Sequence, residues 1–231
     1  LKKFIKASPI LLKYRIIMSE NLKIQISRPF GPAIAKVVMP EELLEKLNSY
    51  VEKVIVDEKK SKELDHGSQL AGKVKQEFVL ERDFVKSSGF LNFLGVSVAN
   101  WIKHCGKPQI KEFNVLSTWI VRQFKDEYNP VHWHSGHVSG VGYLKVPQNL
   151  GKNKQENKTK NENGKLELIH GSKMFLSDST FTITPKVGDF YFFPNYMMHS
   201  VYPFADTNEE RRSISFNAEI DKSIYDTYKS G

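Results

Sequence analysis

A chain of 231 residues with 40% hydrophobic and 26% charged side chains has room for one sizeable core, since barrels and sandwiches commonly exceed the ~150 residues of a typical domain. No stretch nears the ~18 to 20 apolar residues that span a bilayer, which argues against a membrane partner, and the lone Cys105 leaves no internal disulfide and points to a reducing compartment, the cytoplasm. The net charge of +8 invites a nucleic-acid reading, but its location along the chain argues against one.

Residues 1–17 carry Lys2, Lys3, Lys6, Lys13 and Arg15 without an acid. Their apolar run, Ile10-Leu11-Leu12, is shorter than the ~7 to 15 residues of a secretory core. Met18-Ser19-Glu20 reads as a natural start, so 1–17 is expected to be a disordered or appended extension, and 18–231 a single domain. A strand is expected at Leu22–Ile26. Pro40-Glu41-Glu42 then opens a helix, because proline suits a first helical position and acids suit the positive end of the helix dipole. Leu43, Leu44, Leu47, Val51, Val54 and Ile55 give it one apolar face as far as Asp57. Residues 60–75 read as loop. A second helix is expected from Arg82 to Lys103, with Phe84, Leu91, Leu94, Val98, Trp101 and Ile102 inward and Gly106 as its stop. Residues 40–105 are thus a helical support.

From residue 109 the pattern becomes β-rich. Strands are expected at 113–124, Val138–Val146, Leu166–Ile169, Thr180–Thr184, Asp189–Phe193, Ser200–Tyr202 and Arg212–Ile220, punctuated by Pro147, Gly164, Gly171, Pro185, Gly188 and Pro194. Helices first and then many short strands predict a mainly β jelly roll of two sheets, core 109–220, with the helices on one outer face. Residues 148–163 form a Lys/Asn/Glu-rich insertion that cannot bury apolar surface and reads as a mobile hairpin loop. Its Asn157-Lys158-Thr159 sequon carries no weight without a secretion signal. Its lysines and those of 1–17 supply most of the net charge, and such segments are ordinarily solvated.

Side chains two apart on a strand share a face, so His132 and His134 in Asn129-Pro130-Val131-His132-Trp133-His134 point one way and Trp133 the other. With His199, far along the chain, they make one triangular face of an octahedron and leave three positions open. Imidazole suits Fe(II), Zn(II), Ni(II) and Cu(II) alike. Twelve residues after His199 comes Arg211-Arg212-Ser213-Ile214-Ser215-Phe216-Asn217. On a strand, Arg211, Ser213, Ser215 and Asn217 line a polar face opposite Ile214 and Phe216. A guanidinium facing a cavity is costly unless it meets an anion, and the carboxylate of a 2-oxoacid would accept its fork of donors, with Ser213 adding a hydroxyl. A plain zinc or cupin site would not need that arginine. Arg212 is the alternative, though strand parity with Ser213 and Asn217 favours Arg211.

The runs His132-Trp133-His134-Ser135-Gly136, Ser139-Gly140-Val141-Gly142-Tyr143-Leu144, Gly164-Lys165-Leu166-Glu167-Leu168, Pro185 to Gly188, Phe193-Pro194 to His199 and Arg211 to Asn217 resemble a group of 2-oxoglutarate–Fe(II) oxygenases defined mainly by sequence and found in phages and marine bacteria. The similarity covers about residues 109–220, with a weaker echo at Gly72-Lys73-Val74-Lys75-Gln76. It implies a double-stranded β-helix and the oxidative decarboxylation of 2-oxoglutarate to succinate, coupled to hydroxylation of a substrate it does not name. Dioxygen is the other partner implied. The iron ligands would be His132, His134 and His199, and the cosubstrate residues Arg211, Ser213, Asn217 and Tyr143, although Tyr143 could equally be packing. The wider superfamily has Asp or Glu where His134 stands. His134 is therefore either a ligand or a neighbour with water in its place, and a halogenase, which needs a small residue there, is disfavoured.

The bland readings stand beside these. His66, His104 and His170 read as structural residues, and His137, beyond the turn at Gly136, as a weaker candidate for a ligand or substrate contact. Trp119, Phe190, Tyr191, Phe192 and Phe193 read as filling the core and lining the barrel mouth, while the facing of Asn114, Ser117 and Arg122 is open. A rival for the whole chain is a non-catalytic, cupin-like metal-binding jelly roll. Oligomeric state is open, a homodimer included, and so is a lid role for 148–163.

Overall fold

The structure is a computed structural model and describes residues 31–226; the expected extension 1–17 and strand at Leu22–Ile26 lie outside the described residues. Helix α1 (Glu41–Val56) starts behind Pro40, carries Glu41 and Glu42 in its first turn, and buries Leu43, Leu47, Tyr50, Val51 and Val54. Residues 60–75 are not all loop. Helix α2 (Glu58–Glu63) occupies part of them, capped by Asp57, whose carboxylate accepts from Lys60 N–H at 3.0 Å. It buries nothing, so it has no apolar period to betray it. The expected helix over 82–103 is two: α3 (Arg82–Ser87) and α4 (Phe90–His104). Between them Gly89 takes φ 89°, a left-handed conformation that interrupts the helix.

The strands are β1 (Ala35–Val38), β2 (Gln76–Val79), β3 (Phe113–Gln123), β4 (Asn129–His132), β5 (Val138–Lys145), β6 (Leu166–Ile169), β7 (Thr180–Ile183), β8 (Asp189–Pro194), β9 (Met198–Val201) and β10 (Arg211–Ile220). They form two antiparallel sheets, a six-stranded one ordered β1-β8-β5-β10-β3-β2 and a four-stranded one ordered β4-β9-β6-β7. The jelly roll is as expected. β1 and β2, short strands at the two edges of the large sheet, were not foreseen, nor was the terminal turn α5 (Lys222–Tyr225).

Two apolar clusters divide the interior. In one, α1 and α4 cover the outer face of the large sheet, where Phe78, Ile120, Phe190, Phe192, Ile214 and Phe216 are buried. Each such side chain contributes roughly 1.5–3 kcal/mol by leaving water. Phe190 lies tilted at 4.8 Å from Phe192 and meets Phe93 of α4 edge-on at 5.5 Å. Glycine at 142 makes this possible, since a Cβ there would run into the Phe190 ring. The second cluster lies between the sheets and contains Tyr143, Leu166, Leu168, Ile183, Phe193 and Met197. β10, flanked by β5 and β3, serves both: Ile214 and Phe216 join the helix side, and Arg211, Ser213 and Ser215 face the space between the sheets.

The insertion 148–163 holds no helix or strand. Asparagine side chains tie it internally, Asn153 Nδ2 donating to Lys158 O at 2.8 Å and Asn161 Nδ2 to Gly151 O at 2.7 Å. It follows β5, whose Lys145 pairs with Arg212, and precedes β6, whose Leu166 pairs with Val201. Both of its ends therefore join the sheets where β10 begins.

Arg212 points away from that space. Its side chain is fully buried, donating to Glu210 twice at 2.8 Å and to Asn48 and Glu52 of α1 at 3.0 Å. Burial pushes the Glu210 carboxyl up, but the guanidiniums of Arg212 and Arg122 outweigh it and hold the group below the usual carboxylate range. Replacing Arg212 with Ala leaves Glu210 with Arg122 alone and removes the ties to Asn48 and Glu52 of α1. Urea unfolding of Arg212→Ala should show a loss of about 3–5 kcal/mol, and a loss under 1 kcal/mol would mean that Arg212 does not join α1 to the sheet.

Candidate active site

His132 ends β4 and His199 lies in β9, paired across the small sheet. Between Asn129 and His132 the register shifts, β4 holding one residue more than β9. This bulge turns both Asn129 and His132 to the inner face despite their odd spacing. His134 lies past the strand end, where its backbone N–H donates to Asn195 O at 3.1 Å and Asn195 Nδ2 returns a bond to His134 O at 3.3 Å. That turn, and not a continuing strand, keeps its ring beside the other two.

The three rings converge. Centroids are 4.3 Å apart for His132–His199, 4.9 Å for His134–His199 and 5.0 Å for His132–His134. One nitrogen of each lies within 4.8 Å of the others. His132 Nδ1–H donates to Pro130 O at 2.7 Å, and His199 Nδ1–H to Met197 O at 2.9 Å. A carbonyl can only accept, so each Nδ1 carries the hydrogen and each Nε2 presents a lone pair. The Nε2 atoms of His134 and His199 stand 3.1 Å apart. Two imidazoles bound cis at about 2.1 Å to an octahedral ion would place them about 3.0 Å apart, so the donor set fits such an ion. Among the described residues this is the one cluster of three such donors.

Burial depresses all three imidazole pKa values. His134 falls to about 3, with the neighbouring His199 and His132 adding to the effect, and His199 falls to about 4, with His132 adding. For His132 burial again lowers the value, against the opposing bond to Pro130. The cluster is therefore neutral at pH 7 and ready to bind a cation.

The cavity beside the cluster reaches Arg211 and Ser213, with Trp119, Val121, Asn129 and Phe193 in its walls. Arg211 is 1% exposed. Its Nη1 donates to Gln123 Oε1 at 3.1 Å, its Nε has no partner, and the guanidinium lies 5.1 Å over the Tyr143 ring. The Tyr143 hydroxyl is likewise buried and unpartnered, and burial raises it to about 12. A buried guanidinium bonded to Gln123 through Nη1 and with its Nε free, next to an orphaned hydroxyl, fits a carboxylate that accepts from both.

The remaining sequence candidates are placed differently. Asn217 is buried, with Oδ1 accepting from Ser139 Oγ at 2.8 Å, and is not in the cavity wall. His137 stacks on Tyr225 at 4.0 Å and accepts from Ile220 N–H at 3.1 Å, away from the cluster. Arg122 bonds Glu210 and Gln76. Gln123 and Asn129 were missed. Strand parity with Arg211's partner could have found Gln123, but the bulge hid Asn129.

Residues 117–217 match the family described as "Putative 2OG-Fe(II) oxygenase". Over these residues the chain is similar to the 2-oxoglutarate–Fe(II) oxygenases. No curated protein matches the chain. Among solved structures it is similar to a Pseudomonas putida prolyl-4-hydroxylase, at 14% identity and TM-score 0.51 over 80% of this chain and 91% of that one. It is similar to HygX of Streptomyces hygroscopicus, solved with nickel, 2-oxoglutarate and hygromycin B, at 12% identity and TM-score 0.52 over 80% and 82%. A viral collagen prolyl hydroxylase from Paramecium bursaria Chlorella virus-1, in its 2-oxoglutarate complex, matches at 14% identity and TM-score 0.50 over 80% and 94%. At such identities the likeness is one of fold, the double-stranded β-helix of these oxygenases. The matched family is described by Fe(II) and 2-oxoglutarate, and the three-imidazole cluster is a donor set that fits such an ion.

If His134 is a ligand equal to the others, His134→Ala and His199→Ala should each weaken Mn(II) binding by about 100-fold or more, beyond the ~10- to 100-fold typical of residues that only orient a ligand. Titration followed by electron paramagnetic resonance measures this. Near-normal affinity in His134→Ala alone would assign that position to water.

Proposed function

We propose that the chain, read as one oxygenase domain over 18–231, hydroxylates a substrate while 2-oxoglutarate is decarboxylated to succinate. One observation carries the reading: a buried guanidinium with an unsatisfied Nε lies in the cavity that the three imidazoles enter. In this reading His132, His134 and His199 hold Fe(II), which when bound supplies the oxidative chemistry with dioxygen. The protein's part is to bind and orient. The carbonyls of Pro130 and Met197 fix the tautomers and aim of His132 and His199. Arg211 clamps the far carboxylate, the Tyr143 hydroxyl and Ser213 donate to it, and the Gln123 carbonyl holds the guanidinium in place. Val121, Leu166 and Phe193 keep water from that end. Asn217 belongs to the same inner row of β10, and through Ser139 it would steady the strand near the cosubstrate.

No helix of the described residues is long and apolar enough to cross a membrane. The exposed free thiol of Cys105 supports a reducing, cytoplasmic setting. The similar structures include enzymes named for collagen and prolyl hydroxylation and one solved with hygromycin B, in keeping with one fold serving many substrates.

A cupin-like module that only binds metal would leave Arg211 without a purpose. Arg211→Ala decides between the two. With Fe(II) under anaerobic conditions, metal affinity should hold while 2-oxoglutarate affinity falls about 100-fold or more, since two charge-assisted hydrogen bonds are lost. The visible charge-transfer band of the chelate reports binding, and succinate release under air reports turnover. Absence of both in the wild-type protein would refute the oxygenase reading.

A further inference from the structure

Glu77 is a buried acid that the reading above does not use. It lies on β2 in register with Val121, a cavity-wall residue of β3, and so faces the space between the sheets. It is 3% exposed, and its Oε1 has no hydrogen-bond partner. A backbone strap covers it: Lys73 N–H donates to Tyr128 O at 2.8 Å, and a Cβ on neighbouring Gly72 would stand 2.6 Å from Oε1. A side chain there would press on the Glu77 carboxyl. The carboxyl is tied to the side-chain amide of Asn129. Asn129, brought inward by the β4 bulge, shares the cavity wall with His132 and Arg211. Its partner across the small sheet is Val201, one pair beyond His132–His199 toward the end where β10 begins. It therefore stands between the imidazoles and the arginine.

A buried carboxyl with an idle oxygen is costly unless its position serves something. An asparagine amide has two hydrogens; Glu77 accepts one, which leaves the second for the cavity. We propose that Asn129 is a further 2-oxoglutarate-positioning residue, offering that hydrogen to the dianion, and that Glu77 under the Gly72 strap sets the direction of its amide. This rests on the oxygenase reading above. Burial, with the charge of Asp65 adding and the Asn129 bond opposing, raises the Glu77 pKa to about 7. Gly72 and Val121 beside it are uncharged, His66 reaches it through its backbone N–H to Glu77 O at 2.9 Å, and Arg122 is engaged by Glu210 and Gln76. Below about pH 7 Glu77 is neutral, and above it an anion stands behind Asn129, so affinity for a dianionic ligand should fall as pH rises through that value.

The test is calorimetric titration of 2-oxoglutarate into the Mn(II)-loaded full chain, from pH 6 to pH 8, with Mn(II) affinity and melting temperature measured in parallel. Asn129→Ala should weaken 2-oxoglutarate by ~10-fold, and Asn129→Asp, which sets a charge against the dianion, by ~100-fold, the range expected for one hydrogen bond to a charged group and for its reversal. Mn(II) affinity should not change. Glu77→Leu should resemble Asn129→Ala. Glu77→Gln, which keeps an acceptor, should bind within about threefold of wild type at pH 6 and lose the fall toward pH 8. Melting temperatures that drop while 2-oxoglutarate affinity stays unchanged would overturn the proposal, leaving the pair a structural contact. So would an equal loss of Mn(II) affinity, or a pH response that persists in Glu77→Gln. Wild-type protein that binds Mn(II) but no 2-oxoglutarate would instead remove the oxygenase reading, and this inference with it.

Discussion

Two consecutive arginines, both buried, leave β10 on opposite faces, and the arrangement of the molecule follows from how each charge is met. Arg212 enters the helix side and finds Glu210, Glu52 and Asn48. Arg211 enters the space between the sheets, where it meets the Gln123 side-chain carbonyl and Tyr143. The first is a joint, satisfied within the fold. Under the proposed function, the second awaits a carboxylate. Strand alternation makes the division unavoidable: a register slip of one residue would send the satisfied arginine inward and leave the other facing α1.

The histidine end obeys the same electrostatic logic with the opposite sign of demand. Buried imidazoles resist protonation, so the cluster offers three lone pairs and no charge. A divalent ion there would keep both of its positive charges, where the acidic ligand usual in the wider superfamily would cancel one. Adding Arg211 makes the cavity strongly electropositive along its length. A dicarboxylate that reaches from ion to guanidinium neutralises most of that. In this light the His-x-His pattern raises the importance of the anion, because ligand and cosubstrate share the task of compensating the metal.

What could be read from sequence depended on periodicity. The apolar–polar alternation of β10 announced its two environments, and the spacing of His132, His134, His199 and Arg211 announced the site. Elements with nothing to bury were silent: α2 has no apolar face, and β2 is a four-residue edge strand. The break at Gly89 was visible as a glycine but was outweighed by the apolar pattern on either side. Asn129 was hidden for another reason. Counting back from His132 by strand parity puts it on the wrong face, and only the extra residue in β4 corrects the count. Bulges defeat parity arguments, and here the bulge sits next to the ligands.

The register also says which segments frame each end of the sheets. The insertion 148–163 is joined to Lys145 and Leu166, and those residues pair with Arg212 and Val201. It also binds back to the residues after β9, through Ala205 N–H to Leu150 O and Lys152 N–H to Asp206 Oδ2. All of these mark the arginine end. The histidine end is framed by other segments, those following His134, Ile169 and Pro194, where His134 and Asn195 exchange backbone and amide bonds. A cover over the ion would more naturally be built from these than from the insertion. Sequence differences confined to 148–163 should then alter surface charge without touching the approach to the metal, whereas differences at 170–179 would bear directly on what can reach it.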